Sequence, residues 1–167
     1  MKALFIGRFQ PLHNGHLQII QHASEEYDEV IIGIGSSQYD HTLENPFTSD
    51  ERTLMIKKAL EYEKITNYSI VLIPDIHNYP KWASHVTSIV SNFDVVISNS
   101  SLTKRLFSEK GHIVKKTPIY NRDKYSGKEI RKRIINDEQW EDLVPETICR
   151  IIKDIDGVNR LKELSNL

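Results

Sequence analysis

The chain has 167 residues, 39% of them hydrophobic and 27% charged, and its formal net charge is −1 at pH 7. This length suits one well-buried domain and is short for two. We find no signal-type N-terminal segment and no run of about 18 apolar residues, so we expect a cytoplasmic protein that neither is secreted nor spans a membrane. A single cysteine, Cys149, excludes an internal disulfide.

Basic residues are concentrated in residues 104–133, which hold 11 of the 22 Lys and Arg residues against three acidic residues. This local excess predicts an anionic ligand on one part of the surface. A non-catalytic RNA-binding module is one alternative, but the aromatic residues of this region, Phe107, Tyr120 and Tyr125, lack the pattern of a base-stacking platform. We therefore expect no nucleic-acid partner.

Strands and helices alternate along the first 125 residues. The apolar patterns predict strands at 3–7, 29–35, 69–74, 94–98 and 112–116, and helices at 15–23, 49–62, 80–90 and 102–110. Short runs rich in Val and Ile are typical of strands that helices cover on both faces. The sequence thus predicts a Rossmann-like α/β fold of three layers, α/β/α, with a mostly parallel sheet.

The remaining residues predict a helical C-terminal tail, with helices at 126–136, 145–155 and 158–164. Pro145 is typical of a helix start and Gly157 of a helix stop. We interpret residues 1–167 as one domain, with an α/β core at 1–125 and the tail at 126–167. The loop at 35–48 follows a strand, so we expect it to border a ligand site.

The segment GRFQPLHNGH, residues 7–16, links the first strand to the first helix. Ligands bind to loops at the carboxyl ends of parallel strands, and a helix N-terminus offers unpaired N–H groups to an anion. His13 and His16 would both direct donors at one point. Metal ligation is the weaker alternative, because no third ligand is evident nearby and helical zinc pairs are more often spaced by four.

This segment resembles the G-x-F-x-P-x-H-x-G-H signature of the HxGH nucleotidyltransferase superfamily, whose members transfer a nucleotidyl group to a phosphorylated acceptor. The resemblance implies catalytic roles for His13 and His16. It also implies binding of ATP and its phosphates by the rest of the motif, namely Gly7, Arg8, Phe9, Gln10 and Gly15.

A second superfamily motif, I-S-S-T-x-x-R, is matched by YSGKEIR, residues 125–131, with Gly127 and Lys128 where Ser and Thr are usual. Ser126 and Glu129 also form a capping-box pattern, which would start a helix without any ligand. The resemblance implies that Arg131 is catalytic and that ATP phosphates are bound by Tyr125, Ser126, Gly127 and Lys128. We expect Lys132 and Arg133 to lie in solvent.

The segment PFTSDER, residues 46–52, resembles the P-F-T-x-x-E-R segment of archaeal nicotinamide mononucleotide adenylyltransferases. Together with GRFQP, RDKYSG and IDGVNRLKEL, the resemblance spans essentially the whole chain. It implies that Arg52 contacts phosphate. The alternative is an exposed helix arginine paired with a carboxylate.

DIHNYPKW, residues 75–82, resembles that family's acceptor segment D-I-x-x-N-x-x-W, with Tyr79 at the asparagine position. Trp82 would stack on the nicotinamide ring and Asp75 would accept from its carboxamide, although a tryptophan that simply belongs to the core is the alternative. The resemblance assigns Ser98 and Asn99 to ATP. It assigns the acceptor nucleotide to Asp75, Ile76, Trp82, Tyr120 and Arg122.

The reaction implied is transfer of AMP from ATP to nicotinamide mononucleotide, which forms NAD and pyrophosphate. Magnesium would enter with ATP and take no ligand from protein side chains, and the family suggests a homo-hexamer. The two phosphate motifs alone do not separate this reaction from adenylyl or cytidylyl transfer to phosphopantetheine, flavin mononucleotide or glycerol 3-phosphate.

Overall fold

The computed structural model describes residues 1–118 and 121–167. Its strands and helices are β1 (Lys2–Gly7), α1 (Asn14–Glu26), β2 (Glu29–Gly35), α2 (Ser49–Tyr62), β3 (Tyr68–Ile73), α3 (Trp82–Ile89), β4 (Val95–Ile97), α4 (Ser101–Ser108), β5 (Ile113–Lys115), α5 (Gly127–Ile135), α6 (Glu146–Asp154) and α7 (Gly157–Ser165). Short 3-10 turns precede α3 at Tyr79–Lys81 and α6 at Glu141–Leu143. None of the helices in these two ranges is long and apolar enough to cross a membrane.

The five strands form one sheet in the order β3-β2-β1-β4-β5, and each of the four pairings is parallel. The central strand β1 pairs with β2 over its whole length, from Lys2 opposite Glu29 to Gly7 opposite Ile34. The chain proceeds outward from β1 in one direction to β3 and then returns to begin β4 on the other side. The carboxyl ends of β1 and β4 therefore flank the topological switch point, where such sheets bind ligands.

Apolar side chains alternate between the two faces of the sheet because successive strand residues point in opposite directions. Leu4, Ile31 and Val96 pack with residues of α3 and α4. Ala3, Val30 and Val95 belong to the larger cluster, which includes residues of α1, α2, α5, α6 and α7. Both faces are covered, and the expected three-layer Rossmann-like α/β fold is confirmed.

The C-terminal helices pack on the same core as the sheet, since Ile130, Ile148 and Leu161 join its larger cluster. The interpretation of Gly157 as a helix stop is wrong, because α6 ends at Asp154 and Gly157 is the first residue of α7. A Cβ at this position would lie 3.0 Å from Ile152 and 3.1 Å from Phe47. The glycine thus permits close packing of α7 on the core.

Candidate active site

Three adjoining cavities open at the carboxyl edge of the sheet. The Trp82 cavity, about 290 Å³, is lined by residues that include Gly7, Arg8, Ser36, Asp75, Asn78 and Trp82. The histidine cavity, about 340 Å³, is lined by residues that include His13, Gly15, His16, Asn99, Arg122, Tyr125 and Ser126. The cation cavity, about 460 Å³, is lined by Arg8, Leu43, Glu44, Lys128, Arg131, Lys132, Ile135 and Asn136.

The three cavities are connected through shared or adjacent residues. Ile6, Ile97 and Ser98 line both the Trp82 cavity and the histidine cavity. Arg8 lines both the Trp82 cavity and the cation cavity. The arrangement can hold two ligands side by side at the switch point, with a cationic region beside them.

His13 and His16 cap each other at the start of α1. The Nδ1 atom of His13 accepts the main-chain N–H of His16 at 3.2 Å, and the Nδ1 atom of His16 accepts that of His13 at 3.2 Å. The two rings stack with centroids 3.6 Å apart and planes inclined by 18°. An Nδ1 atom that accepts carries no proton, so each neutral ring bears its proton on Nε2.

Burial keeps both rings neutral. It lowers the pKa of His13 from 6.5 to about 4, and it lowers that of His16, to which proximity to His13 contributes as well. At neutral pH each ring therefore offers the histidine cavity an uncharged Nε2–H donor. Neither ring carries positive charge, so neutralisation of an anion depends on the lysines and arginines.

The side chains of two residues of the first motif, which we expected to bind a ligand, lie in the core instead. Phe9 is 1% exposed and its ring lies against His16, with centroids 4.7 Å apart. Gln10 is 2% exposed, and its side-chain amide donates to the Phe47 carbonyl at 3.0 Å and accepts the Phe47 N–H at 2.9 Å. Both side chains are engaged in the core, where they support the loop.

The two glycines of the first motif lie beside different cavities. Gly7 lines the Trp82 cavity and Gly15 lines the histidine cavity. A Cβ at Gly15 would lie 3.0 Å from the His13 ring and 3.1 Å from Tyr125. Gly15 thus allows the second motif to approach the histidine pair.

The expectation that Arg52 contacts phosphate is corrected. Its side chain is 0% exposed, and its guanidinium donates to six main-chain carbonyls of the site loops. These carbonyls, at 2.9–3.5 Å, belong to Arg8, Gly35, Ser36, Ser37, Tyr39 and Thr48. Burial lowers the pKa of Arg52 to about 10, which still leaves it charged at neutral pH. Arg52 therefore cross-links the loop after β1 to the loop after β2 through hydrogen bonds to their main-chain carbonyls.

The second motif forms the start of α5. The Ser126 hydroxyl accepts the Glu129 N–H at 3.1 Å and caps the helix. Arg131, 7% exposed, donates to the Gln10 carbonyl at 2.8 Å, and burial lowers its pKa to about 10. A Cβ at Gly127 would lie 2.6 Å from Arg131 Nη1, so the glycine leaves room for this arginine.

Lys132 is exposed, as we expected, and also lines the cation cavity beside Arg131 and Lys128. Arg133 was expected in solvent as well, but it is half-buried and pairs with Glu129 at 3.0 Å. Glu44, an exposed carboxylate that belongs to no recognised motif, lines the cation cavity as well. Its place on the loop predicted to border the site was the one available signal.

The Trp82 cavity contains two of the five residues predicted for the acceptor. Asp75 and Trp82 line it, and the half-buried Trp82 also packs against the smaller core cluster, so a place in the core does not keep this side chain from facing the cavity. Ile76 is corrected, because its side chain is exposed and does not line this cavity. Asn78, which the sequence analysis did not select, lines it.

The histidine cavity contains three further predicted residues. Ser98 and Asn99, which the resemblance assigns to ATP, line it, and Ser98 lines the Trp82 cavity as well. Arg122, which the resemblance assigns to the acceptor, lies with the histidines and not in the Trp82 cavity; Tyr120 falls outside the described residues. Thr117 lines the cavity too, and among residues 1–118 and 121–167 its buried hydroxyl has no hydrogen-bond partner. No sequence pattern indicated this residue.

The side chains of the site suit an anion better than a protein-bound metal ion. Across residues 1–118 and 121–167, no three His, Cys, Asp or Glu side chains lie together in an arrangement that would hold one. The lysines and arginines of the cation cavity suit an anion, because they carry hydrogen-bond donors and positive charge.

Comparisons with known proteins agree with this geometry. A family model described as cytidylyltransferase-like matches residues 4–133. A nicotinamide-nucleotide adenylyltransferase of Methanococcus aeolicus is 51% identical over 99% of this chain and 95% of its own length. One from Thermoplasma volcanium is 47% identical over 98% of this chain and 92% of its own length.

Among solved structures, a bifunctional NMN adenylyltransferase/ADP ribose pyrophosphatase from Francisella tularensis, complexed with AMP and a manganese ion, superposes with a TM-score of 0.80 at 26% identity. The match covers 99% of this chain and 52% of that one, so this chain spans about half the length of the bifunctional protein. By its family-model match and its full-length identity to curated relatives, the chain belongs to the cytidylyltransferase-like family and, within it, to the nicotinamide-nucleotide adenylyltransferases.

Proposed function

We propose that this protein transfers AMP from ATP to nicotinamide mononucleotide, which yields NAD and pyrophosphate. The observation that carries the proposal is the pair of neutral, mutually capped histidines that line one of two adjoining ligand-sized cavities. The family of the chain and the names of its relatives support the choice of substrates. Because both cavities and the second motif are needed, we propose that residues 1–125 and 126–167 act as a single nucleotidyltransferase domain.

In this proposal ATP occupies the histidine and cation cavities, and nicotinamide mononucleotide occupies the Trp82 cavity. Ser98 lines both the histidine cavity and the Trp82 cavity, so it would lie between the two nucleotides. Arg8 lines both the acceptor side and the cation cavity, so it suits the phosphate groups that must meet there. The nucleophile and the phosphorus atom are thereby brought together, which is a large part of catalysis in such reactions.

The chemical step joins an oxygen of the acceptor 5′-phosphate to the α-phosphorus of ATP. The bond from that phosphorus to the β-phosphate oxygen breaks, and its electron pair leaves with pyrophosphate. A phosphate monoester, with a second pKa near 6, is already ionised at neutral pH, so no protein base has to remove a proton. This agrees with histidines that donate from Nε2 and whose Nδ1 atoms are occupied.

The residues of the site supply hydrogen bonds and positive charge to the transferring group. His13 and His16 donate to phosphate oxygens without carrying charge, and Lys128, Arg131 and Arg8 neutralise the leaving pyrophosphate. We propose that magnesium accompanies ATP as part of the substrate and binds its phosphate oxygens. Phosphate charge is thereby shared between the cation that arrives with ATP and these fixed side chains.

The decisive experiment measures pyrophosphate release from ATP and magnesium with nicotinamide mononucleotide as acceptor. Phosphopantetheine, flavin mononucleotide and glycerol 3-phosphate run in parallel, each with ATP and with CTP. We expect release with nicotinamide mononucleotide and ATP alone, matched by formation of NAD. Release with another acceptor alone would support the proposed phosphate site but reject nicotinamide mononucleotide as the acceptor. If no acceptor gives release and the protein binds oligonucleotides in a salt-sensitive way, the RNA-binding alternative would be favoured.

A further inference from the structure

Two segments that carry the family resemblance, residues 46–52 and 155–164, meet through one ion pair. Arg160, in α7, donates from Nη1 to Glu51 Oε1 at 2.6 Å and from Nη2 to Glu51 Oε2 at 2.9 Å. The contact is bidentate, the geometry that gives an arginine and a carboxylate their strongest hydrogen bonds. It joins side chains 109 residues apart in sequence, and neither of them has a part in the proposed reaction.

The Glu51–Arg160 ion pair is largely shielded from solvent, with each side chain 18% exposed. The hydrogen bond to Glu51 raises the pKa of Arg160. For Glu51, burial acts to raise the pKa, but the hydrogen bonds from Arg160 and from the Thr48 N–H together lower it. Both groups therefore stay charged at neutral pH. Removal of one partner is costly in such a pair, because the other charge is left enclosed and alone.

This ion pair fixes the end of the loop after β2. Arg160 Nη1 also donates to the Pro46 carbonyl at 3.0 Å, and its guanidinium lies over the Phe47 ring, 5.9 Å from the ring centroid. Glu51 Oε1 accepts the Thr48 N–H at 2.9 Å. Three consecutive loop residues are thereby held by two side chains.

The held segment is connected to Arg131 through Gln10. The Phe47 main chain donates its N–H to Gln10 Oε1 at 2.9 Å, and its carbonyl accepts from Gln10 Nε2 at 3.0 Å. The Gln10 carbonyl in turn accepts from Arg131 Nη1 at 2.8 Å, and Arg131 lines the cation cavity. Gln10 and Arg131 are both buried, so water has little access to replace these contacts. A continuous series of contacts thus runs from α7 to an arginine of the cation cavity.

Resting on the proposed function, we propose that Glu51 and Arg160 are positioning residues that hold Arg131 where it neutralises the leaving pyrophosphate. Neither of these two described residues lines the Trp82, histidine or cation cavity, so they act through Arg131 and not by contact with a nucleotide. Without the ion pair, the segment at Phe47 can move, and with it Gln10 and the guanidinium. A displacement of about 1 Å at the reacting groups can slow a reaction by about 100-fold.

The test is a double-mutant cycle between Arg160→Gln and Arg131→Lys, measured both as kcat/KM for ATP and as the free energy of unfolding. We expect Arg160→Gln to lower kcat/KM about tenfold in the unmodified protein but less than about twofold in the Arg131→Lys background, where the guanidinium that it positions is already gone. Its effect on the free energy of unfolding should be equal in the two backgrounds, because Arg131→Lys leaves the ion pair in place. A purely structural role would produce equal losses of kcat/KM in both backgrounds.

Three further variants serve as matched comparisons. Glu51→Gln removes the other charge while its oxygen can still accept the Thr48 N–H, so it should reproduce the cycle. Arg160→Lys keeps the charge with fewer donors and should lose less kcat/KM than Arg160→Gln; it replaces Arg160→Gln in the cycle if that variant does not fold. Arg150→Gln breaks an exposed ion pair with Glu146 on α6 and should leave kcat/KM unchanged.

Equal fold losses of kcat/KM in the two backgrounds would overturn the inference, and so would unchanged kcat/KM in a folded Arg160→Gln protein. Failure of the proposed function gives a different result, because even the unmodified protein would then form no NAD. Calorimetric Kd values for inorganic pyrophosphate with magnesium then supply the same cycle without turnover. Binding that Arg160→Gln weakens only where Arg131 is present would uphold the inference. Equal weakening in both backgrounds, or no binding of pyrophosphate, would reject it.

Discussion

His13 and His16 cap one another through their Nδ1 atoms, each of which accepts the other residue's main-chain N–H at 3.2 Å. This reciprocal contact orients both rings and leaves both Nε2–H groups as donors. The same two side chains thereby cap the helix and offer donors to a phosphate group. The contact also allows the two roles to be tested separately.

Replacement of His16 by Asn should impair catalysis without undoing the cap. The Asn oxygen can accept the His13 N–H as Nδ1 does, but no donor remains at the position of Nε2. We expect kcat to fall on the order of 10²-fold, with the KM for ATP within a few-fold of its original value. Initial-rate kinetics with varied ATP measure both quantities.

His16→Gln is the matched variant, because its amide nitrogen can replace the Nε2 donor while the cap contact is lost. It should retain more activity than His16→Asn but unfold at lower denaturant concentration. Equal loss of kcat and of ATP affinity in His16→Asn would contradict a role confined to the transition state.

Stability should depend on pH through His13. Its pKa is about 4 in the folded protein, where burial disfavours the charged form, against 6.5 for an unperturbed histidine. Between these values the unfolded chain binds more protons, so stability is lost as pH falls from about 6.5 towards 4. The loss from this group reaches about 3 kcal/mol, and urea unfolding at several pH values measures it.

His13→Asn isolates this contribution because asparagine is a good N-cap but does not titrate in this range. The variant should lose less stability than the unmodified protein between pH 6.5 and 4. Parallel stability curves for the two proteins would show that His13 does not titrate with the lowered pKa.

Replacement of Arg52 by Met should unfold the protein more easily, because six carbonyls of the site loops lose their donors. We expect a loss of about 3–5 kcal/mol in the free energy of unfolding. Arg150→Met is the control: this arginine is largely exposed and pairs with the exposed Glu146, so its loss should cost under about 1 kcal/mol. Urea unfolding measures both variants.

If Arg52→Met left stability unchanged but weakened ATP binding, the result would support the phosphate contact implied by the family resemblance. Arg52→Lys provides an intermediate case, since lysine keeps the charge with fewer donors. Its stability should lie between those of the unmodified protein and Arg52→Met.

Replacement of Gly127 by Ala should act through Arg131. The added Cβ would lie 2.6 Å from Arg131 Nη1 and 3.1 Å from the Gln10 carbonyl, so the guanidinium must leave its place. We expect kcat/KM for ATP to fall about tenfold. Initial-rate kinetics of this variant, of Arg131→Lys and of the double variant test whether the alanine acts by displacing Arg131.

If the alanine works by displacing Arg131, the double variant loses less than the sum of the two single losses. Strict additivity would instead mean that the added methyl group blocks the ligand directly.

The layout of this protein could be largely predicted from sequence because it rests on local and periodic signals. Short apolar runs marked all five strands, and the helix at Ser49–Tyr62 was predicted from its periodicity with its observed bounds. Gly157 was misjudged because glycine also permits close packing, which depends on partners distant in sequence. The histidine pair was identified because the strand, loop and helix that hold it are contiguous.

What sequence alone determined, then, is the order of elements, the two phosphate motifs and the chemical types gathered near them. Only the tertiary structure decided which side chains face a ligand. Arg52, Phe9 and Gln10 belong to conspicuous motifs yet lie in the core, whereas Asn78 and Glu44 attract no notice in sequence yet line cavities. Exposure depends on which loops meet at the edge of the sheet, and such non-local contacts leave no local pattern in the chain.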